Sequence, residues 1–179
     1  NGDGELEIPM PMVNILSGGA HAGRTLDIQD VLVLPIGANS FTESLAWIVA
    51  IREAAAKIGA AEGKVTHLIA DEGGLGIPFA SMAQACDFVV KVISSVGLNP
   101  GSDVSLALDI ASTQFFEDGK YNLKNAKQSY SSDQFVTYIN NLVSNYPIVS
   151  IEDPFAENDW LAWNKLMKSV KKVQIVGDD

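Results

Sequence analysis

Short apolar runs alternate with longer amphipathic segments along this chain of 179 residues. After an extended, proline-spaced start, most apolar runs are followed by a segment whose apolar positions recur with helical spacing. This alternation predicts a parallel sheet covered by helices, and its period of roughly 30–40 residues is typical of a βα barrel. The predicted strands are 28–34, 67–70, 104–109, 148–152 and 173–177, and the predicted helices are 41–58, 82–96, 133–144 and 159–168.

Serine residues mark the starts of three predicted helices. Ser40 is followed by Glu43 at capping-box spacing, and Ser131 stands in the same relation to Gln134. The helix that opens after Ser81 has the clearest periodicity of the four. The predicted helix faces run through Phe41, Leu45, Ile48, Val49 and Arg52 in the first helix, and through Met82, Ala85, Val89, Val92, Ile93 and Val96 in the second.

The composition indicates a soluble, acidic chain. It is 47% hydrophobic and has a net charge of −10, from 12 Lys and Arg against 22 Asp and Glu. This charge argues against binding to nucleic acid or to an anionic membrane surface, and no apolar run reaches the roughly 18 residues that span a bilayer. Cys86 is the one cysteine, so no internal disulfide forms, and a reducing compartment is the simplest interpretation.

Acidic residues stand at the ends of the strands that the pattern predicts to be buried. An apolar strand has no packing reason to end in this way, because an unpaired buried carboxylate is costly. A barrel gathers the C-terminal ends of its strands at one mouth, where catalysis takes place, so acids that are distant in sequence are expected to meet there. These strand ends are Asp71-Glu72, Asp109, Glu152-Asp153 and Asp178-Asp179.

Carboxylates that crowd together repel one another unless a cation lies between them. Oxygen ligands, in a chain with two His and no CxxC pair, favour Mg²⁺ over zinc or copper. A simpler interpretation is that strand ends carry polar residues because they reach solvent, and for one acid the two interpretations are equally good. Four such strand ends in succession favour the Mg²⁺ site.

Motifs along nearly the whole chain resemble, in order, those of the enolase (phosphopyruvate hydratase) family. The resemblance implies an α/β fold in which this chain is the first part of an enolase-type (β/α)8 TIM-like barrel, incomplete here. The family's N-terminal α+β domain would precede residue 1, and its later barrel strands would follow residue 179. The motifs are PMPMVNILSGGAHAG (9–23), IQD (28–30), LPIG (34–37), DEGG (71–74), LDIAS (108–112), SIEDPF (150–155) and VGDD (176–179).

The same resemblance implies a reaction and roles for individual residues. The reaction is the reversible dehydration of 2-phospho-D-glycerate to phosphoenolpyruvate in glycolysis, by a cytoplasmic homodimer. Glu72 matches the acid that protonates the hydroxyl leaving from C3. The matched Mg²⁺ ligands are Asp109, Glu152 and Asp178, and the matched substrate contacts are His21, Gln29 and Asp30, with Glu152 and Asp178 also beside the substrate.

The chemistry accounts for these residue types. Removing a proton beside a carboxylate builds negative charge that one or two Mg²⁺ ions offset in enolase-superfamily sites. Hydroxide is a poor leaving group, so a neutral carboxylic acid must protonate it, and burial and nearby anions would keep Glu72 protonated. Because side chains alternate along a strand, only one member of each acidic pair is expected to face the mouth. The resemblance selects Glu72, Glu152 and Asp178, which leaves Asp71, Asp153 and Asp179 as outer neighbours.

Two features depart from the family pattern. Enolases carry Glu at the position of Asp30, and the shorter side chain loses the reach of about one C–C bond. The family's catalytic lysine would follow residue 179, and Lys165, Lys168 and their neighbours, on or just after a predicted surface helix, do not replace it. Two alternative functions therefore stay open: an enolase-superfamily lyase for a different carboxylate, and a catalytically silent paralogue that binds partners.

Overall fold

The computed structural model describes residues 8–178. Four α-helices, two short 3₁₀ helices (Ala20–Ala22 and Ser112–Phe115) and eight strands are present in this part of the chain. The helices are α1 (Phe41–Ala61), α2 (Met82–Ser95), α3 (Ser132–Asn145) and α4 (Trp160–Ser169). The strands are β1 (Val13–Ser17), β2 (Asp30–Leu34), β3 (Ser105–Asp109), β4 (Phe116–Glu117), β5 (Lys120–Leu123), β6 (Gln128–Tyr130), β7 (Ile148–Glu152) and β8 (Gln174–Val176).

The main sheet has the strand order β1-β2-β3-β7-β8. Its strands carry the central core, with Val31, Leu106 and Ile151 fully buried. Over residues 8–178 the sheet stays open, as expected for the first part of a barrel, since a complete βα barrel needs about 250 residues. The predicted α/β fold with an incomplete barrel is therefore confirmed.

The prediction of a parallel sheet is wrong for the first half of the chain. Strand β2 is antiparallel to both β1 and β3, whereas the β3–β7 and β7–β8 pairs are parallel. The β1–β2 connection contains no α-helix that returns the chain, and a parallel pair requires such a crossover. Between β2 and β3 the chain forms two helices, α1 and α2, and β3 then runs in the direction opposite to β2.

The predicted serine caps of the helices are present, but the capping box predicted at Ser40 does not form, since the Glu43 carboxylate accepts from the backbone N–H of Asn39 instead. Ser40, Ser81 and Ser131 each accept a hydrogen bond from the backbone N–H three residues later. At α3 the capping box is complete, because Gln134 also accepts from the backbone N–H of Ser131. Local hydrogen-bonding chemistry therefore determines where these helices begin, as the sequence predicted.

The buried face of α2 matches the prediction, but that of α1 does not. In α1 the predicted positions Phe41, Leu45 and Val49 are 42%, 42% and 57% exposed. The apolar residues of α1 are spread around the helix, so their spacing alone does not show which face is buried. The buried residues of α1 are Ser44, Ile48, Ile51, Ala55 and Gly59. None of the described helices is long and apolar enough to cross a bilayer.

The predicted strand at 67–70 is absent, and the segment is a loop. Ile69 makes only an isolated bridge, to Leu75, and it is 62% exposed. Leu75 carries the pairing with the sheet instead, since its N–H donates to Ile15 O at 2.9 Å and its carbonyl accepts from Ser17 N at 3.0 Å. Leu75 is 1% exposed, so this residue, and not the apolar run at 67–70, packs against β1.

A second sheet, β4-β5-β6, begins with a hairpin that turns at 117–120, and it joins α4 through Tyr121. The Tyr121 ring is fully buried and stacks on Phe135 with centroids 4.4 Å apart. Its hydroxyl donates to Asp159 Oδ2 at 2.8 Å and accepts from Ala156 N at 3.1 Å. Asp159 is the N-cap of α4, so this one hydroxyl ties the small sheet to the start of the helix.

Replacing Tyr121 by Phe should lower the free energy of unfolding by about 1–3 kcal/mol, because the Ala156 N–H loses its partner in the interior. Urea denaturation of the full-length protein measures the change. Tyr130→Phe is the matched control, since the Tyr130 hydroxyl donates to Gln128 in an exposed contact. Equal losses for the two variants would contradict the structural role of the Tyr121 hydroxyl.

Candidate metal centre and active site

One register position crosses the main sheet at the edge where β1, β3 and β7 end. Ser17 pairs with Asp30, Asp30 with Asp109, and Asp109 with Glu152. Residues paired across neighbouring strands project to the same face of a sheet. Asp30 joins this row because β2 is antiparallel, so that its first residue lies beside the last residues of its neighbours.

Carboxylate oxygens converge at this edge. One oxygen each of Asp109, Glu152 and Asp153 lies within 4.8 Å of the other two, in a group that could hold a metal ion. Asp109 and Glu152 are half-buried, and Asp153 is 1% exposed. The structure therefore brings together two of the three predicted metal ligands, and adds Asp153 as a third member of the group.

The alternation of side chains along β7 predicted Asp153 as an outer neighbour of the site, and the structure places one of its oxygens close to those of Asp109 and Glu152. Asp153 has a φ of 42°, in the left-handed region, where the period-two alternation of a strand no longer holds. Its backbone N–H donates to Val176 O, and its Oδ1 accepts from Asp178 N at 2.9 Å. Asp153 therefore lies in the carboxylate group and also orients the backbone that carries Asp178.

The predicted ligand Asp178 lies next to this group, bonded through its backbone to Asp153. Asp178 is exposed. The assignment of its carboxylate as a metal ligand and substrate contact stays a prediction. Asp179, expected to be an outer neighbour, falls outside the described residues.

Asp30 is buried, 3% exposed, and Ser17 Oγ donates to its Oδ1. Burial raises the pKa of Asp30 to about 6. The negative charges of Glu72 and Glu152 add to this rise, whereas the Ser17 hydrogen bond and His21 oppose it. Asp30 thus lies within electrostatic range of three other predicted site residues.

Glu72 reaches the same edge from the loop that replaces the predicted strand. Asn14 Nδ2 donates to Glu72 Oε2 at 2.9 Å, and Arg52 holds the loop by donating to Gly73 O. A Cβ at Gly74 would lie 2.0 Å from Ser17 Oγ, so only glycine allows the loop to approach β1 this closely. Glu72 is exposed, in contrast to the expected burial, and its carboxylate is open to a ligand.

Gln29 and His21 occupy different surroundings. Gln29 is 8% exposed, and its Nε2 donates to Asp109 Oδ2 at 3.0 Å. Its Oε1 accepts from Gln114 Nε2 at 3.0 Å. His21 lies exposed in the short 3₁₀ helix Ala20–Ala22.

Sequence reasoning missed three contributors to this site: Asn14, Ser17 and Gln114. Asn14 and Ser17 lie in the PMPMVNILSGGAHAG motif, which was the available signal for them. Both belong to β1, whose antiparallel pairing with β2 was not predicted. Gln114 follows the LDIAS motif by two residues, and no pattern in the sequence marks its contact with Gln29.

The comparison with known protein families identifies the family of this chain. A family model described as the enolase C-terminal TIM barrel domain matches residues 5–179. The chain belongs to this enolase family. Membership indicates an enolase-superfamily enzyme of the lyase type, and members of the superfamily use Mg²⁺.

The residues present fit the metal that the enolase family implies. Mg²⁺ prefers oxygen ligands and retains open positions for water or substrate, and Asp109, Glu152 and Asp153 supply carboxylate oxygens within 4.8 Å of one another. Cys86, a soft potential ligand, is fully buried in α2 among the core residues, where burial raises its thiol pKa to about 12. The donor set therefore favours Mg²⁺ over softer metals.

Replacing Asp30 by Asn should stabilise the metal-free protein at pH 7.5 more than at pH 4.5. A carboxyl group whose pKa rises from 3.8 to about 6 on folding stabilises the fold at low pH, and this contribution is lost as the pH rises through about 6. In a chelating buffer we expect Tm at pH 7.5 to rise by a few degrees. Thermal melts of the full-length protein across this pH range measure the effect.

Asp71→Asn is the matched control, because it removes an exposed carboxylate from the neighbouring loop. An identical response of the two variants at every pH would show that burial of Asp30 does not destabilise its charged form.

Proposed function

We propose that this chain contributes the metal-binding edge of a Mg²⁺-dependent hydro-lyase that interconverts 2-phospho-D-glycerate and phosphoenolpyruvate in glycolysis. The observation that carries the proposal is the convergence of Asp109, Glu152 and Asp153 within 4.8 Å, with Glu72 on an adjacent loop. The first three supply oxygen ligands, and the fourth is a separate carboxyl group available for proton transfer.

When bound, Mg²⁺ would offset the negative charge that builds on the substrate carboxylate as the proton beside it leaves. Asp109 and Glu152 would hold the ion, with Asp153 in the same carboxylate group and Asp178 beside it through the backbone bond. The resemblance assigns removal of the C2 proton to a lysine after residue 179. The residues of this chain would thus act on the metal, the substrate carboxylate and the leaving group.

Glu72 would protonate the leaving hydroxyl. The C3–O bond breaks, its electron pair takes the proton from the Glu72 carboxyl group, and water leaves as the C2–C3 double bond forms. Asn14 donates to Glu72 Oε2, which orients the carboxyl group, and the exposed position of Glu72 lets a substrate approach it. Asp30 lies in the interior beside this group, within the electrostatic influence of Glu72.

The remaining assignments rest on the resemblance. His21, Gln29 and Asp30 would contact the substrate, together with Glu152 and Asp178. His21 lies exposed in the 3₁₀ helix that Gly19 and Gly23 flank, both with positive φ, so that its side chain is accessible to a ligand. We also propose a cytoplasmic homodimer, with no nucleic-acid or membrane partner, on the same resemblance and on the net charge of −10.

Asp30 favours one alternative, an enolase-superfamily lyase for a different carboxylate, since it shortens the side chain where enolases have Glu. The second alternative is a silent paralogue with a binding role. Incubating the full-length protein with 2-phosphoglycerate and Mg²⁺ distinguishes the proposed function from these two alternatives. The absorbance of the phosphoenolpyruvate formed measures turnover, and a Mg²⁺ titration measures binding. Turnover supports the proposal, Mg²⁺ binding without turnover favours the different substrate, and absence of Mg²⁺ binding favours the paralogue.

Replacing Glu72 by Gln should reduce kcat by about 10²–10⁴-fold, because the amide cannot donate a proton to the leaving hydroxyl. The Mg²⁺ affinity should change little, since Glu72 is not in the described carboxylate group. The dehydration assay and calorimetric Mg²⁺ titration measure the two effects. Glu62→Gln, at the end of α1 and paired with Lys91, is the control. Undiminished turnover by Glu72→Gln would exclude the proposed role.

Lengthening Asp30 to Glu should lower kcat/KM by about tenfold or more, because the longer side chain would displace its carboxylate from Ser17 in a buried position. Steady-state kinetics of the full-length protein measure the change. An increase in turnover would show instead that the shorter residue is a handicap and that the pocket accommodates Glu.

A further inference from the structure

A chain of two amides leads to the Asp109 carboxylate. Gln114 Nε2 donates to Gln29 Oε1 at 3.0 Å, and Gln29 Nε2 donates to Asp109 Oδ2 at 3.0 Å. The three residues come from β3, from the residue that precedes β2, and from the 3₁₀ helix Ser112–Phe115. The final bond has a carboxylate oxygen as its acceptor, and amide donors bind an ionised carboxylate more strongly than a neutral amide oxygen.

The polarity of this chain is determined at its inner end, where the Asp109 carboxylate oxygen accepts a hydrogen bond. A glutamine amide has one donor and one acceptor end, and its reversed orientation would turn Gln29 Oε1 toward the Asp109 carboxylate. Two acceptors would then face each other. Gln114 donates to Gln29 Oε1 and thereby completes the orientation in which Gln29 donates to Asp109.

The local backbone holds Gln114 in place. Ala111 adopts the left-handed region with a φ of 48°, and its carbonyl accepts from Gln114 N at 3.0 Å. On the other side, a Cβ at Gly19 would lie 3.3 Å from Gln29 Cα and 3.4 Å from Gln114 Oε1. The loop at Gly19 therefore packs against the backbone of Gln29 and the side-chain amide of Gln114.

We propose that Gln114 is a positioning residue that acts through Gln29 to orient the Asp109 carboxylate toward the metal. The inference rests on the proposed function only in taking Asp109 as a Mg²⁺ ligand. Outer partners of metal ligands determine the orientation and basicity of those ligands, and their loss typically weakens metal binding by about 10–100-fold. In this proposal the main role of Gln29 is to orient Asp109. The second N–H of its amide would bind the substrate.

The test is a double-mutant cycle on Mg²⁺ affinity, measured by calorimetry on the full-length protein. Gln114→Leu and Gln29→Leu should each weaken Mg²⁺ binding, by about tenfold or more for the latter. The double variant should bind Mg²⁺ no more weakly than Gln29→Leu alone, because Gln114 acts through Gln29. Gln84→Leu, which removes an exposed amide bonded to Ala80 N at the start of α2, is the control.

Unchanged Mg²⁺ affinity in Gln114→Leu, or losses that add in the double variant, would overturn the inference. Thermal melting of each variant in a chelating buffer verifies that the metal-free fold is intact. If Gln114→Leu lowers that melting temperature more than Gln84→Leu does, Gln114→Ala replaces it in the cycle, and the same two results decide.

The inference and the proposed function fail in different ways. A protein that converts 2-phosphoglycerate but shows the same Mg²⁺ affinity with and without Gln114 retains the function and refutes the positioning role. A protein that shows no turnover but loses Mg²⁺ affinity in Gln114→Leu, with no further loss in the double variant, retains the positioning role and refutes the function.

Discussion

The structure depends on the register with which four strands meet at one edge of the main sheet. That register places Ser17, Asp30, Asp109 and Glu152 side by side, although Ser17 and Glu152 are more than a hundred residues apart in the sequence. Grouping carboxylates in this way is unfavourable without a counter-charge or hydrogen-bond donors. Ser17 and Gln29 donate hydrogen bonds to Asp30 and Asp109, which offsets part of this repulsion. Members of the enolase superfamily also bind Mg²⁺, whose charge opposes it.

The direction of β2 is the feature that most separates this sheet from a simple parallel βα array. Because β2 runs antiparallel to its neighbours, its first residue lies at the same edge as the last residues of β1 and β3. Asp30 thereby becomes a buried carboxyl group beside the metal-binding edge, and its pKa rises to about 6. A rule that looks for acids only after strands would overlook it, and here the motif resemblance identified it instead.

Local patterns predicted the helices well and the site only in part. The caps at Ser40, Ser81 and Ser131 rest on hydrogen bonds within four residues, so the sequence contains all the information needed. The inner face of α1 and the loop at 67–75 depend on packing against the sheet, and there the predictions failed. Asp153 escaped the strand alternation because its backbone leaves the extended region at that residue.

The sequence by itself determined the α/β class, the helix boundaries and the motifs that identify the candidate site residues, since these follow from local hydrogen bonding, periodicity and resemblance. Only the tertiary structure decided which carboxylates meet and what surrounds them. Asp153 joins Asp109 and Glu152, and Gln114 is linked to Asp109 through Gln29. The physical reason is that these contacts span long sequence separations, and they depend on strand direction, register and left-handed backbone turns that local patterns do not encode.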